Sequence, residues 1–237
     1  YMAALSHNIA QLMPGDLNFS FFCNSGAESV EGAIKLAYKY HDGKRKTILH
    51  SNISFHGKLL GSASVTASKE VYFKYPQIPN TDSFEYGNIN SIKQKIQNHK
   101  TKSGSSDIYA LIIEPFQTLT VNQCNSEFLI QLQKICNDND IVLIFDEVYT
   151  GWYKTGPLFN FMRTDVLPDI VTTSKSLGGG KASISAYTSR ENILKKAYGN
   201  TRDALLHTST YNGFGEECIT AIEAINIMQE EHFGDNS

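Results

Sequence analysis

Ile141-Val142-Leu143-Ile144-Phe145-Asp146-Glu147-Val148 places five apolar residues in succession before two carboxylates. A strand with one wet face alternates apolar and polar residues. An unbroken apolar run suits a strand covered on both faces, as in a parallel sheet. Working outward, short apolar runs recur at residues 19–23, 47–50, 109–113, 170–173 and 183–188. Helical patterns stand between several of them. Val30, Ala33, Ile34, Ala37 and Tyr38 keep the spacing of one buried helix face, and residues 89–97 and 128–136 carry similar patterns. Met2, Leu5, Ile9 and Leu12 open the chain in a helix that Pro14-Gly15 stops. Alternating strands and helices predict an α/β fold: a mainly parallel central sheet with helices on both faces. Residues 100–107, KTKSGSSD, read as a polar surface loop.

The bulk composition narrows the function classes. The 237 residues are 41% hydrophobic and 19% charged, which suits a globular chain with a sizeable core. Net charge is −3, from 21 basic and 24 acidic residues, and no basic stripe offers a nucleic-acid surface. The apolar runs are too short to span a bilayer, so no membrane partner is expected. Cys23, Cys124, Cys136 and Cys218 form no CxxC pair or disulfide framework, which points to a reducing, cytoplasmic home. No His or Cys spacing suits a metal site. The chain starts at Tyr1 inside a helical pattern and stops just after another. It therefore reads as one large domain, residues 1–237, cut from a longer protein.

Ligands of open α/β sheets bind beyond the carboxyl ends of the strands. Four groups stand there. Ser25-Gly26-Ala27-Glu28 is a capping box, and its small residues also let backbone N–H groups approach an anion at a helix start. Asp146 could bind a metal, act as acid or base, pair with a protonated ring nitrogen, or merely cap a helix. Lys175 precedes Gly178-Gly179-Gly180 and is either a solvated surface lysine or, if desolvated, a nucleophile for carbonyls. Phe55-His56-Gly57 offers a ring that could stack on a flat heterocycle or simply pack a loop. An anion cup, a carboxylate, an aromatic ring and a lysine together suit one ligand, pyridoxal 5'-phosphate.

Six blocks in order carry a family resemblance: Asn24 to Glu28; Phe55-His56-Gly57; Glu114-Pro115-Phe116-Gln117; Asp146-Glu147-Val148-Tyr149-Thr150-Gly151; Pro168-Asp169-Ile170 leading to Ser174-Lys175 and the three glycines; and His207-Thr208-Ser209-Thr210-Tyr211. The sequence resembles the class III (ornithine/ω-type) aminotransferases, which are transferases of fold type I. The resemblance implies that Lys175 is the Schiff-base lysine and Asp146 the partner of the pyridine nitrogen. Val148 and Phe55 would face opposite sides of the ring. Ser25, Gly26, Ala27, His56, Glu114 and Tyr149 would complete the cofactor site. Ser209 and Thr210 would reach the cofactor phosphate of a neighbouring subunit, which implies a homodimer with shared active sites. An N-terminal segment and a C-terminal small domain would lie outside this sequence.

The sequence also departs from that family. Tyr149 stands where many members carry glutamine, and Trp152-Tyr153-Lys154-Thr155-Gly156 replaces Phe-Gly-Arg-Thr-Gly. Lys181-Ala182-Ser183 and Asn212-Gly213-Phe214 also replace common family runs. The expected activity is transfer of an amino group from an amine or amino acid to a keto acid or aldehyde. The alternatives are an aminomutase of the glutamate-1-semialdehyde type and a truncated domain that binds cofactor without turnover.

Overall fold

A computed structural model describes residues 1–67 and 76–236. In chain order the elements are α1 (Met2–Leu12), β1 (Leu17–Cys23), α2 (Gly26–Tyr40), β2 (Thr47–Ser51), α3 (Leu60–Ser64), β3 (Thr81–Phe84) and α4 (Ile89–Asn98). Then come β4 (Ile108–Ile113), β5 (Phe116–Gln117), β6 (Asn122–Gln123), α5 (Ser126–Asp138), β7 (Val142–Asp146), β8 (Ile170–Thr173), β9 (Ser185–Arg190), α6 (Glu191–Tyr198) and α7 (Gly215–Glu230). Seven strands form one sheet in the order β1-β9-β8-β7-β4-β2-β3, and β5 and β6 form a small hairpin. The run from β8 to β3 is parallel, whereas β9 pairs antiparallel with both β8 and β1. The expectation of a mainly parallel sheet therefore holds.

The period-2 geometry of the strands splits the core into two. Leu111, Ile113, Leu143, Phe145 and Val171 face one side, packed with residues of α1, α4, α5 and α7. Ala110, Ile112, Val142, Ile144 and Ile170 face the other, with α2 and α6. Every residue of β4 and β7 is buried, which is why these strands show no polar alternation. The helical readings hold for Val30, Ala33, Ile34 and Ala37, all buried on α2. Tyr38 and Met2 lie at the margins of their faces and are exposed instead.

Because six strands point the same way, the carboxyl ends of β1, β2, β4, β7 and β8 open on one edge of the sheet. The antiparallel β9 brings its amino end there. Its Ser185 is paired with Cys23 and donates from its hydroxyl to the Ser25 carbonyl at 2.7 Å.

Candidate active site

The start of α2 is held by a reciprocal cap. Glu28 Oε2 accepts from the backbone of Asn24 (2.9 Å) and Ser25 (2.7 Å) and from the Ser25 hydroxyl (3.1 Å). The Ser25 hydroxyl in turn accepts from the Glu28 amide at 3.4 Å. The Ser25 side chain is thus turned toward its own helix, and Gly26 and Ala27 line the adjacent cavity. A Cβ on Gly26 would stand 2.7 Å from Val148 Cγ1, so only glycine lets the helix start come this close to the β7 loop.

Asp146 ends β7 at 5% exposure. Its Oδ2 lies 2.7 Å from His56 Nδ1. Its Oδ1 accepts from the Thr172 hydroxyl and the Val148 amide, both at 3.0 Å. Burying a carboxylate is costly unless each oxygen is bonded, and here both are. Burial alone would lower the basicity of His56, but the Asp146 hydrogen bond and the charges of Asp146 and Glu114 raise it above the ordinary histidine value.

Glu114, just beyond β4, is pushed up to about 7 by burial. It accepts from the Phe55 amide at 2.9 Å and from the Gln117 side chain at 3.2 Å, so it fixes the loop that carries Phe55. Gly57 closes that loop at φ +127°, where a side chain would meet the Ala27 Cβ at 2.7 Å.

Lys175 follows β8 with φ +44°, a left-handed conformation rare for a residue with a side chain. Burial pushes its basicity below that of an ordinary lysine, Asp146 and Glu114 oppose that shift, and Lys154 adds to it. Its ammonium lies 5.2 Å from the centre of the Tyr149 ring.

One cavity of about 460 Å³ is lined by Gly26, Ala27, Phe55, His56, Glu114, Asp146, Val148, Tyr149 and Lys175. These come from the ends of β1, β2, β4, β7 and β8. Ser209 and Thr210 lie elsewhere, the first half-buried and the second exposed, and neither lines this cavity. Sequence reasoning passed over Thr172, Lys58 and Thr118. Thr172 pairs with Asp146 across β7 and β8, so the strand order alone would have pointed to it. Lys58 and Thr118 line the cavity one residue beyond blocks that were read, and Ser174, inside such a block, lines it too.

The donor set fits pyridoxal phosphate. Backbone N–H groups head a helix, a buried carboxylate is held in place, and a partly desolvated amine shares the cavity with them. The His56 ring, 2% exposed, also keeps Nε2 without a hydrogen-bond partner among the described residues.

Residues 1–237 match the family described as aminotransferase class-III. Among solved structures, a transaminase from the marine bacterium Virgibacillus is 28% identical at a TM-score of 0.89, covering 100% of this chain and 55% of that one. An (S)-enantioselective omega-transaminase from Thermomicrobium roseum is 26% identical at 0.90, covering 98% and 56%. The ornithine aminotransferase from Toxoplasma gondii, in a structure with partial occupancy of PLP at its active site, is 25% identical at 0.85, covering 99% and 54%. The chain spans about half the length of these relatives.

Proposed function

Because the chain belongs to the class-III aminotransferase family, we propose that its cavity holds pyridoxal 5'-phosphate and serves amino-group transfer from an amine or amino acid to a keto acid or aldehyde. The observation that carries this reading is the convergence of Lys175, Asp146 and the start of α2 on one cavity. When bound, the cofactor supplies a carbonyl carbon that reacts with amines and a ring that accepts electrons from the substrate carbon.

This chain's residues do the rest. Gly26 and Ala27 direct backbone N–H groups to the phosphate at the positive end of α2. Asp146 would pair with the ring nitrogen and keep it protonated, and its three donors hold its oxygens in place. Phe55 and Val148 line the cavity and would cover the faces of the ring. Lys175 Nζ would hold the cofactor and would be placed to carry a proton to and from the reacting carbon. Its reduced basicity leaves a larger neutral fraction for both tasks. Tyr149 lines the same cavity, and its hydroxyl would be a donor for the cofactor's phenolic oxygen.

A homodimer with shared sites is part of this reading. Thr210 is exposed and away from the cavity of its own Lys175, as a residue serving a partner's phosphate would be. Exposed Leu119, Val121 and Leu205 offer apolar surface for a subunit contact. The four cysteines are unpaired, which supports a cytoplasmic, reducing setting. No helix among the described residues is long and apolar enough to cross a membrane. Residues 1–237 are read as the large, cofactor-binding domain.

The test is a half-reaction. With an amine donor and no keto acceptor, the cofactor-loaded protein converts one equivalent of donor per site and stops. Continued turnover without acceptor would instead make it an aminomutase, and no conversion would make it a binding domain.

A further inference from the structure

The strand β8 ends just before Lys175, and its last two side chains are held from opposite faces of the sheet. Thr172 donates from its hydroxyl to Asp146 Oδ1 at 3.0 Å. Thr173 accepts at Oγ1 from the indole N–H of Trp152, at 2.6 Å. Both members of that second pair are buried, Trp152 at 2% exposure and Thr173 at 0%. Out of reach of water, the indole N–H has this hydroxyl as its acceptor, and losing it would leave a buried donor unpaired. The phenylalanine common at position 152 in the family run has no N–H to give, so the bond belongs to this chain's own departure from that run.

Trp152 is itself fixed. Trp152 and Tyr153, at φ +63° and +66°, are consecutive left-handed residues without being glycine. Such strain persists only where the surroundings over-determine it. Here the amides of both donate to the Leu158 carbonyl, at 2.6 and 3.2 Å, and the Gly151 amide donates to the Glu147 carbonyl at 2.9 Å. The Trp152 ring packs edge-on against Phe159, with centroids 5.2 Å apart. The fully buried Glu147 accepts from the Thr150 hydroxyl and from the amides of Asn160 and Phe161.

The residue at the far end of the bond is strained as well. Lys175 has φ +44°. Ser174, between it and Thr173, donates from its hydroxyl to the Ile184 carbonyl at 3.2 Å and accepts at its carbonyl from the Leu177 amide at 3.0 Å. The Trp152 bond therefore joins a rigid, strained turn to the strained backbone that carries the lysine. His56, Lys58, Glu114, Asp146 and Tyr149 line the cavity with Lys175, and Lys154 Nζ stands 5.4 Å from the Tyr149 ring. Among so many charged and titratable neighbours, a small displacement of the amine changes both its exposure and the charges it faces.

We propose that Trp152 is a positioning residue: its indole N–H, acting through Thr173, fixes the backbone that holds Lys175 Nζ in the cavity. The proposal rests on the aminotransferase reading for what Lys175 does there.

The test uses the whole protein, freed of cofactor by hydroxylamine. Trace acetylation over a pH series, read by mass at each lysine peptide, reports the basicity of Lys175 against that of Lys134, an exposed lysine of α5. Trp152→Phe keeps a ring and removes the N–H. It should let the amine reach water and lower the neutral fraction of Lys175 about three- to tenfold, the range that one hydrogen bond supplies. Thr173→Val should give the same fall, the double variant no further fall, and Thr173→Ser, which keeps the acceptor, the wild-type profile. An unchanged or raised neutral fraction in Trp152→Phe or Thr173→Val, whatever their thermal midpoints, or additive falls in the double variant, would overturn the proposal and leave the cofactor reading intact. Added pyridoxal phosphate that borohydride cannot trap on the wild type, beside a Lys175 profile that still depends on Trp152, would defeat the cofactor reading and leave the positioning role standing.

Discussion

His56 Nδ1 and Asp146 Oδ2 lie 2.7 Å apart, joining residues ninety positions distant in the chain at 2% and 5% exposure. The pair fixes the carboxylate on which the proposed cofactor site turns. Without the imidazole, one oxygen of a buried carboxylate would have no donor among the bonds described.

His56→Ala should therefore lower stability by about 1–3 kcal/mol, read as a fall in the thermal midpoint. Because the folded protein raises the His56 value above 6.5, the stability it contributes is complete below 6.5 and is lost as pH rises through the raised value. The gap between wild type and variant should thus narrow in alkali. An equal gap at all pH values would mean that the pair does not titrate as described.

Lys175→Ala should reduce amino transfer by about 10²–10⁴-fold. It should also abolish the cofactor attachment that borohydride makes permanent, as seen by mass. A variant that still trapped cofactor in the Lys175 peptide region would show that another amine holds it.

Glu147 is pushed up to about 7 by burial, against an ordinary 4.5. A carboxyl with a raised folded value favours the fold most below 4.5 and loses that contribution as pH climbs through about 7. Glu147→Gln, which cannot ionise, should show a shallower loss of thermal stability over that interval than the wild type. Parallel curves would mean that the fold does not raise the Glu147 value above its unfolded one.

Gly57→Ala should destabilise by about 1–3 kcal/mol and weaken cofactor binding, since its Cβ would press on Ala27 at the start of α2. Gly87→Ala is the matched comparison. It too has a positive φ (+72°) but nothing within 4 Å, so it carries the backbone strain alone. Equal losses of cofactor affinity in the two would show that the close approach to Ala27 is irrelevant.

Much of the fold was legible because its signals are local. β4 and β7 announce themselves by unbroken apolar runs, and α2 by its capping box and its buried stripe. β3 was missed because TDSF is a polar edge strand, buried only at Phe84. The reversed direction of β9 was not legible either, since side-chain period is the same in both directions. At the site, the residue types and their order pointed to a cofactor cavity, but the Ser25 segment by itself read first as an ordinary cap and only second as an anion cup. The structure commits its side chain to the cap.

The sequence by itself determined most strands of the large sheet, the longer helices and the six blocks at their ends, because periodicity, capping and turn chemistry act over a few residues. Only the tertiary structure decided which of those residues meet. It paired His56 and Thr172 with Asp146 and put Glu114 behind Phe55. It left Thr210 outside the cavity and brought Lys154 to the Tyr149 ring. Those relations depend on strand order and on the burial of charge, and a buried carboxylate is tolerated only where distant segments supply its hydrogen bonds.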